Sequence, residues 1–130
     1  MASVPQDLKY TKTHEWVRIE GDIATIGITD HAQAELGDIT YVDLPEPGRQ
    51  LTGEAQFGEV ESVKAVSELF APVSGEVVEA NTEIENSTEV INEDPFGKGW
   101  LIKMRLKDPA ELAGLLDAAD YEKFAESEDH

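Results

Sequence analysis

No cysteine occurs among the 130 residues. That absence excludes structural disulfides, Cys-ligated zinc and a thiol nucleophile. Positive charge is scarce: 10 Lys and Arg stand against 28 Asp and Glu, for a formal net charge of −18. A surface with that balance repels nucleic acid and anionic membrane and leaves basic protein surfaces as the favoured partners. No apolar run approaches the ~20 residues that a membrane-spanning helix needs. The start, Met1-Ala2-Ser3-Val4-Pro5, lacks a basic stretch followed by an apolar one and is not Arg-rich. Neither a secretory signal nor a transit peptide is expected there. The expected location is cytoplasmic, or the mitochondrial matrix only for a form trimmed after import.

What remains has the composition of an ordinary globular chain, 40% apolar, and the length of one modest domain. The first two thirds read as β-structure. Trp16–Glu20 and Ile23–Ile28 flank Gly21-Asp22 and predict a hairpin. Thr29–Gly37 predicts a short helix, with Thr29 or Asp30 as cap and Gly37 as terminator. Ile39–Leu44 reads as a strand before the Pro45–Gly48 turn, and Glu76–Ala80 as another strand, ending at Asn81. Asn92–Gly99 reads as a loop and Trp100–Leu106 as a strand. In the tail, Asp108-Pro109-Ala110-Glu111 has the pattern of a helix start. Leu112, Leu115 and Leu116 are expected to share one helical face, with a second short helix from Asp117 and fraying from Glu126 onwards. The fold class is mainly β, a sandwich or barrel rather than a βαβ fold.

One residue stands out by isolation. Between Arg49 and Lys98 the only basic residue is Lys64, among eleven acids. By itself such a lysine is a surface ion-pair residue contributing roughly 0–1 kcal/mol. Its setting argues for more. Two β-prone runs, Phe57–Val63 and Ala65–Ala71, flank it with no Gly, Asn or Pro between them, so Lys64 itself would occupy a hairpin tip. Gly53 lies eleven residues before it and Gly75 eleven after, as though two related halves folded about it. A tip holds a side chain clear of the body, where a modifying enzyme can reach it.

Glu61-Ser62-Val63-Lys64-Ala65, with Gly75 following, resembles the attachment motif of lipoyl domains. Biotin carriers flank their lysine with Met on both sides, whereas Val63 and Ala65 stand here. The lipoyl domains of 2-oxoacid dehydrogenases usually carry Asp before the lysine; Val63 departs from that. Other segments narrow the resemblance: Thr13-His14-Glu15-Trp16, Gly27–Gln33, Leu36-Gly37-Asp38, Leu44–Gly48, Ile91-Asn92 with Pro95-Phe96, and Gly99-Trp100-Leu101. In that order, over about Leu8 to Phe124, they are similar to the H proteins of the glycine cleavage system.

The resemblance implies a barrel-sandwich hybrid of antiparallel strands with short helices. It implies a single lipoyl-carrier domain over 1–130, with its hairpin core at about 53–80 and a C-terminal helical segment at about 108–125. It implies no catalysis by the chain itself, lipoate in amide linkage to Lys64, and a monomer. The partners it implies are a pyridoxal-phosphate glycine decarboxylase, a tetrahydrofolate-dependent aminomethyltransferase, dihydrolipoamide dehydrogenase, and a lipoate ligase or octanoyl or lipoyl transferase. The aminomethyl group of glycine would travel between the first two on the lipoyl arm. The lack of cysteine suits a dithiol cofactor, since a nearby thiolate could exchange with it. Two further readings keep the lysine but change the role: a lipoyl relay or donor to other enzymes, and a 2-oxoacid dehydrogenase lipoyl domain.

In this family the loaded arm is thought to fold into a cleft, where a carboxylate could neutralise the amine. Glu15 and Glu35 are the candidates, against the plainer reading of solvated acids. Trp16 and Trp100 read as core anchors, and Glu61 as a strand position that a lipoylating enzyme could also recognise. His14 and His31, few and far apart in sequence, do not by themselves suggest a metal site, and no metal is expected. No Gly-rich phosphate loop follows a strand and opens a helix.

Overall fold

The computed structural model describes residues 3–128. Among the described residues, nine strands form two antiparallel sheets. Strands β1 (Lys9–Tyr10), β2 (Glu15–Glu20) and β3 (Ile23–Ile28) lead into helix α1 (Asp30–Leu36). Then come β4 (Ile39–Asp43), β5 (Gln50–Leu51), β6 (Gln56–Ser62), β7 (Val66–Phe70) and β8 (Gly75–Ala80). Helix α2 (Glu89–Glu93), strand β9 (Ile102–Leu106) and helix α3 (Ala118–Glu128) complete the chain. The larger sheet has the order β1-β2-β3-β9-β8-β5 and the smaller one β4-β6-β7. The expected class, mainly antiparallel β with short helices, is what forms.

Alternation in β8 and β9 buries one face, whereas β3 and the start of β2 are buried on both. Val17, Ile26, Val42, Phe57, Val60, Leu69, Val77 and Met104 meet in the main core. A second cluster of Leu8, Tyr10, Trp16, Tyr121 and Ala125 docks α3 on the outer strands. There Tyr10 and Tyr121 stack with ring centroids 4.6 Å apart. Trp16 is fully buried and donates from Nε1 to the Pro95 carbonyl at 2.8 Å. Trp100 is only partly buried, its ring lying under the Lys103 ammonium.

The local signals of α1 act as expected. The Thr29 side chain accepts from Ala32 N–H, and Gly37 ends the helix at φ 77°. The Gly21 turn also forms, at φ 64°. The middle of the chain holds what propensity did not show: a 3₁₀ turn at Thr82–Asn86, and α2 running into the Asn92–Gly99 loop. Two-residue strands β1 and β5 were likewise below the reach of periodicity.

The tail departs from expectation. Asp108 does cap, accepting from Ala110 N–H, but the turn it starts is 3₁₀ and ends at Gly114. Leu115 is extended, and Leu116 exchanges two backbone hydrogen bonds with Tyr10, each 2.8 Å. Leu112, Leu115 and Leu116 therefore share no helical face, because pairing with β1 satisfies Leu116 better than a further turn would. Helix α3 starts where Asp117 caps it, accepting from Asp120 N–H at 2.8 Å. It continues to Glu128, past the expected end at about 125 and through the first three of the residues expected to fray. Asp129 and His130 lie outside the described residues.

Candidate functional site

The lysine tip is built by its neighbours. Strands β6 and β7 pair from Gln56↔Phe70 to Glu61↔Val66, which leaves Val63-Lys64-Ala65 as the exposed turn. The strands stop one residue short of the predicted ends on either side of Lys64. Ser62 closes the turn: its N–H donates to the Ala65 carbonyl at 2.8 Å. Its Oγ accepts from Lys64 N–H at 3.3 Å and from Ala65 N–H at 3.1 Å. A serine hydroxyl thus replaces the glycine or asparagine a tight turn usually needs. That signal lies within Glu61–Ala65 and is readable as turn chemistry.

The tip is also held from below. Val63 N–H donates to the Asp38 carbonyl at 3.1 Å. Asp38 is itself placed by Asn92, whose side chain donates to the Gly37 carbonyl at 2.8 Å and accepts from Ile39 N–H at 2.9 Å. Gly37 matters for its positive φ, and its Cα faces Lys64: a Cβ there would meet Lys64 Cε at 3.7 Å, an ordinary contact. The lysine stem therefore leans towards the end of α1. Val63 and Val66 are 69% and 61% exposed and give the tip an apolar collar. Glu61 is half-buried in β6, cross-strand from Val66.

The base of the same hairpin opens on a cleft of about 770 Å³, lined by Glu15, Gly53, Glu54, Phe70, Pro72 and Glu111 among others. Gly53 and Gly75, expected to frame two halves, do border one junction: Gly53 N–H donates to Ser74 Oγ at 2.8 Å. Glu15 is 1% exposed. Thr11 Oγ1 donates to its carboxylate at 2.6 Å, Thr13 Oγ1 donates to the same oxygen, and Phe70 N–H donates to the other at 3.3 Å. Burial pushes the carboxyl up to about 7, against the opposing pull of these hydrogen bonds. A carboxyl poised near neutrality in a cleft can accept a cation or hold a proton. Glu15 is therefore not the solvated acid of the plainer reading.

Glu35 does not join it. It is 61% exposed and lies 2.5 Å from Nε2 of His31, one helical turn away on α1. The spacing of four residues, which places the two on one helix face, decides this. His14 and His31, seventeen residues apart in sequence, stack with ring centroids 4.7 Å apart. His14 adopts φ 71°, a left-handed conformation that costs a non-glycine residue about 1 kcal/mol or more. That turn sends the His14 ring towards α3 while Glu15, next in the chain, points inward.

These features define a class: an antiparallel β carrier that holds an exposed lysine on a hairpin tip, with a cleft and a buried carboxyl at the hairpin's base. Comparison with known proteins agrees. The family model described as "Glycine cleavage H-protein" matches residues 8–128. The glycine cleavage system H protein of Symbiobacterium thermophilum is 59% identical over 124 residues, covering 95% of this chain and 97% of that one. That of Rubrobacter xylanophilus is 56% identical over 129 residues, covering 99% and 100%. The crystal structure of the Mycobacterium marinum protein of the same name superposes with a TM-score of 0.85 at 40% identity, covering 92% of this chain and 97% of the other. The chain belongs to the glycine cleavage H-protein family, with its lipoyl-domain-like barrel-sandwich fold and its role as lipoyl carrier of the glycine cleavage system.

Proposed function

We propose that Lys64 is the residue that bears the lipoyl group and that the chain is a single lipoyl-carrier domain without catalytic activity of its own. The observation that carries this reading is the placement of Lys64. It is the sole basic residue from Gln50 to Gly97 and stands exposed at a three-residue tip clamped by Ser62. When bound, lipoate supplies a dithiolane that takes up the aminomethyl group and is afterwards reoxidised from the dithiol. This chain's own part is positional. The tip presents the amine to a lipoate ligase or an octanoyl or lipoyl transferase, with Val63, Val66 and Glu61 within the surface such an enzyme would cover.

Acylation of Lys64 removes the one positive charge of an acidic stretch, as acetylation would. The tether then keeps the arm's far end at high effective concentration near each docked partner. The partners of this reading are glycine decarboxylase, the aminomethyltransferase and dihydrolipoamide dehydrogenase, meeting a monomer in the cytoplasm. The cleft at the hairpin base, with Glu15 at its floor, is suited to shelter the cationic end of a loaded arm and to balance its charge. Glu35, on the far side of His31, has no such position.

The test is peptide mass analysis across Lys64 after expression with lipoate and its ligase. One lipoyl amide on Lys64, absent in Lys64→Arg, is expected. A folded protein that stays unmodified at Lys64, or is modified elsewhere, overturns the reading.

A further inference from the structure

Two histidines and two glutamates outside the lysine tip and the cleft gather where three segments of the chain meet. His14 comes from the turn before β2, His31 and Glu35 from α1, and Glu128 from the end of α3. One ligand atom from each of His14, His31 and Glu128 lies within 4.8 Å of the others. Glu128 Oε1 is 2.6 Å from His14 Nε2 and 4.0 Å from His31 Nε2. We propose that His14, His31 and Glu128 form a binding site for a divalent transition-metal ion such as Zn²⁺ or Co²⁺, with Glu35 beside it as a fourth donor.

Three features support this beyond proximity. The first is His31, which is 8% exposed, yet its Nε2 has no hydrogen-bond partner among the described residues. Glu35 approaches it closely but out of line for a hydrogen bond. A buried ring nitrogen left in that state is costly unless something else satisfies it. The second is the support behind His14. Its Nδ1 shares a hydrogen bond of 2.7 Å with Tyr121 Oη, which in turn meets Thr29 Oγ1 at 2.7 Å. A metal-binding imidazole is held in this way, one nitrogen anchored and the other aimed at the ion. The third is the donor set. Two imidazoles with carboxylates suit zinc, cobalt, nickel or copper rather than calcium or magnesium, and Glu35 as the fourth donor completes a four-coordinate set. The two carboxylates are 40% and 61% exposed, so an ion can enter from solvent. Side chains that now touch would separate by up to about 1 Å to admit bonds of ~2.0–2.2 Å.

Bound metal would join the last turn of α3 to α1 and to the turn that precedes Glu15, and so would raise the melting temperature by mass action. The experiment is a Co²⁺ titration of the full chain with Lys64 unmodified, read by its visible ligand-field absorption and checked by Zn²⁺ displacement. Using the unmodified chain keeps the outcome separate from the lipoyl reading. The expected result is one saturable site per chain and a higher melting temperature. His14→Ala, His31→Ala and Glu128→Gln are each expected to weaken binding by at least about tenfold, and Tyr121→Phe by about tenfold. His130→Ala should leave binding unchanged. Glu128→Gln, at an exposed helix end, serves if a histidine variant does not fold. No saturable binding, binding lost with His130→Ala, or binding untouched in Glu128→Gln and Tyr121→Phe overturns the proposal.

Discussion

The Ser62 hydroxyl oxygen accepts the backbone N–H of Lys64 at 3.3 Å, and in the same turn that of Ala65 at 3.1 Å. One side chain thus fixes the backbone on which Lys64, the proposed attachment lysine, stands. The turn has no glycine to adopt an unusual φ and no proline to stiffen it, so its geometry rests on that oxygen.

Ser62→Ala removes the acceptor and leaves two exposed N–H groups to water. The expected loss of global stability is small, ~0.5–1 kcal/mol, because the groups are solvated. The expected loss in the lipoylation rate is larger, since the lysine's direction is no longer held. Comparing the rate with the denaturation midpoint checks this. A stability loss with an unchanged rate would mean that the turn is set by its strands alone.

Glu15 makes stability depend on pH. Its carboxyl is raised from an ordinary 4.5 to about 7 in the folded chain. Between those values the folded state holds a proton that the unfolded state has released. This contribution is therefore most favourable below about pH 4.5, falls as pH rises and levels off above about 7, a change of about 3 kcal/mol at most. Glu15→Gln keeps the hydrogen-bonding shape without the charge. It should match the parent near pH 4 and exceed it at pH 8, as read by urea denaturation at each pH. Parallel pH profiles for the two proteins would count against a buried ionisable Glu15.

Gly58 of β6 packs directly against the backbone of Asp43 in β4. A Cβ there would stand 2.1 Å from the Asp43 carbonyl oxygen, a backbone atom that cannot swing aside. Gly58→Ala should cost at least about 2 kcal/mol and should loosen the three-stranded sheet that carries Lys64. The control is Gly114→Ala, because a Cβ at Gly114 would meet nothing within 4 Å. Equal denaturation midpoints for the two variants would contradict the contact.

Where local chemistry governs, the chain was legible before it was folded. Thr29 and Gly37 bound α1 as a cap and a terminator because their effects reach only one turn of helix. The β6–β7 hairpin follows from two β-prone runs around Lys64. The tail departs from its local pattern where a long-range contact outweighs a local one. Leu116 has helical spacing with Leu112, but its N–H and C=O pair with Tyr10, more than a hundred residues earlier. Glu15 and Glu35 are both candidates by sequence; the four-residue spacing to His31 ties Glu35 to the face of α1, and the burial of Glu15 comes only from packing.

The sequence by itself determined the family, through ordered motifs that span nearly the whole chain, and it singled out Lys64 by charge and by hairpin setting. Those are properties of neighbours along the chain. Tertiary structure alone decided that Glu15 lies at the floor of a cleft, its carboxylate meeting Phe70 N–H from across the fold. It alone brought His14 beside His31 and Glu128, a contact that spans 114 positions. The physical reason is the same in both cases. Burial and convergence depend on how sheets and helices pack, and packing joins residues whose separation along the chain carries no trace of it.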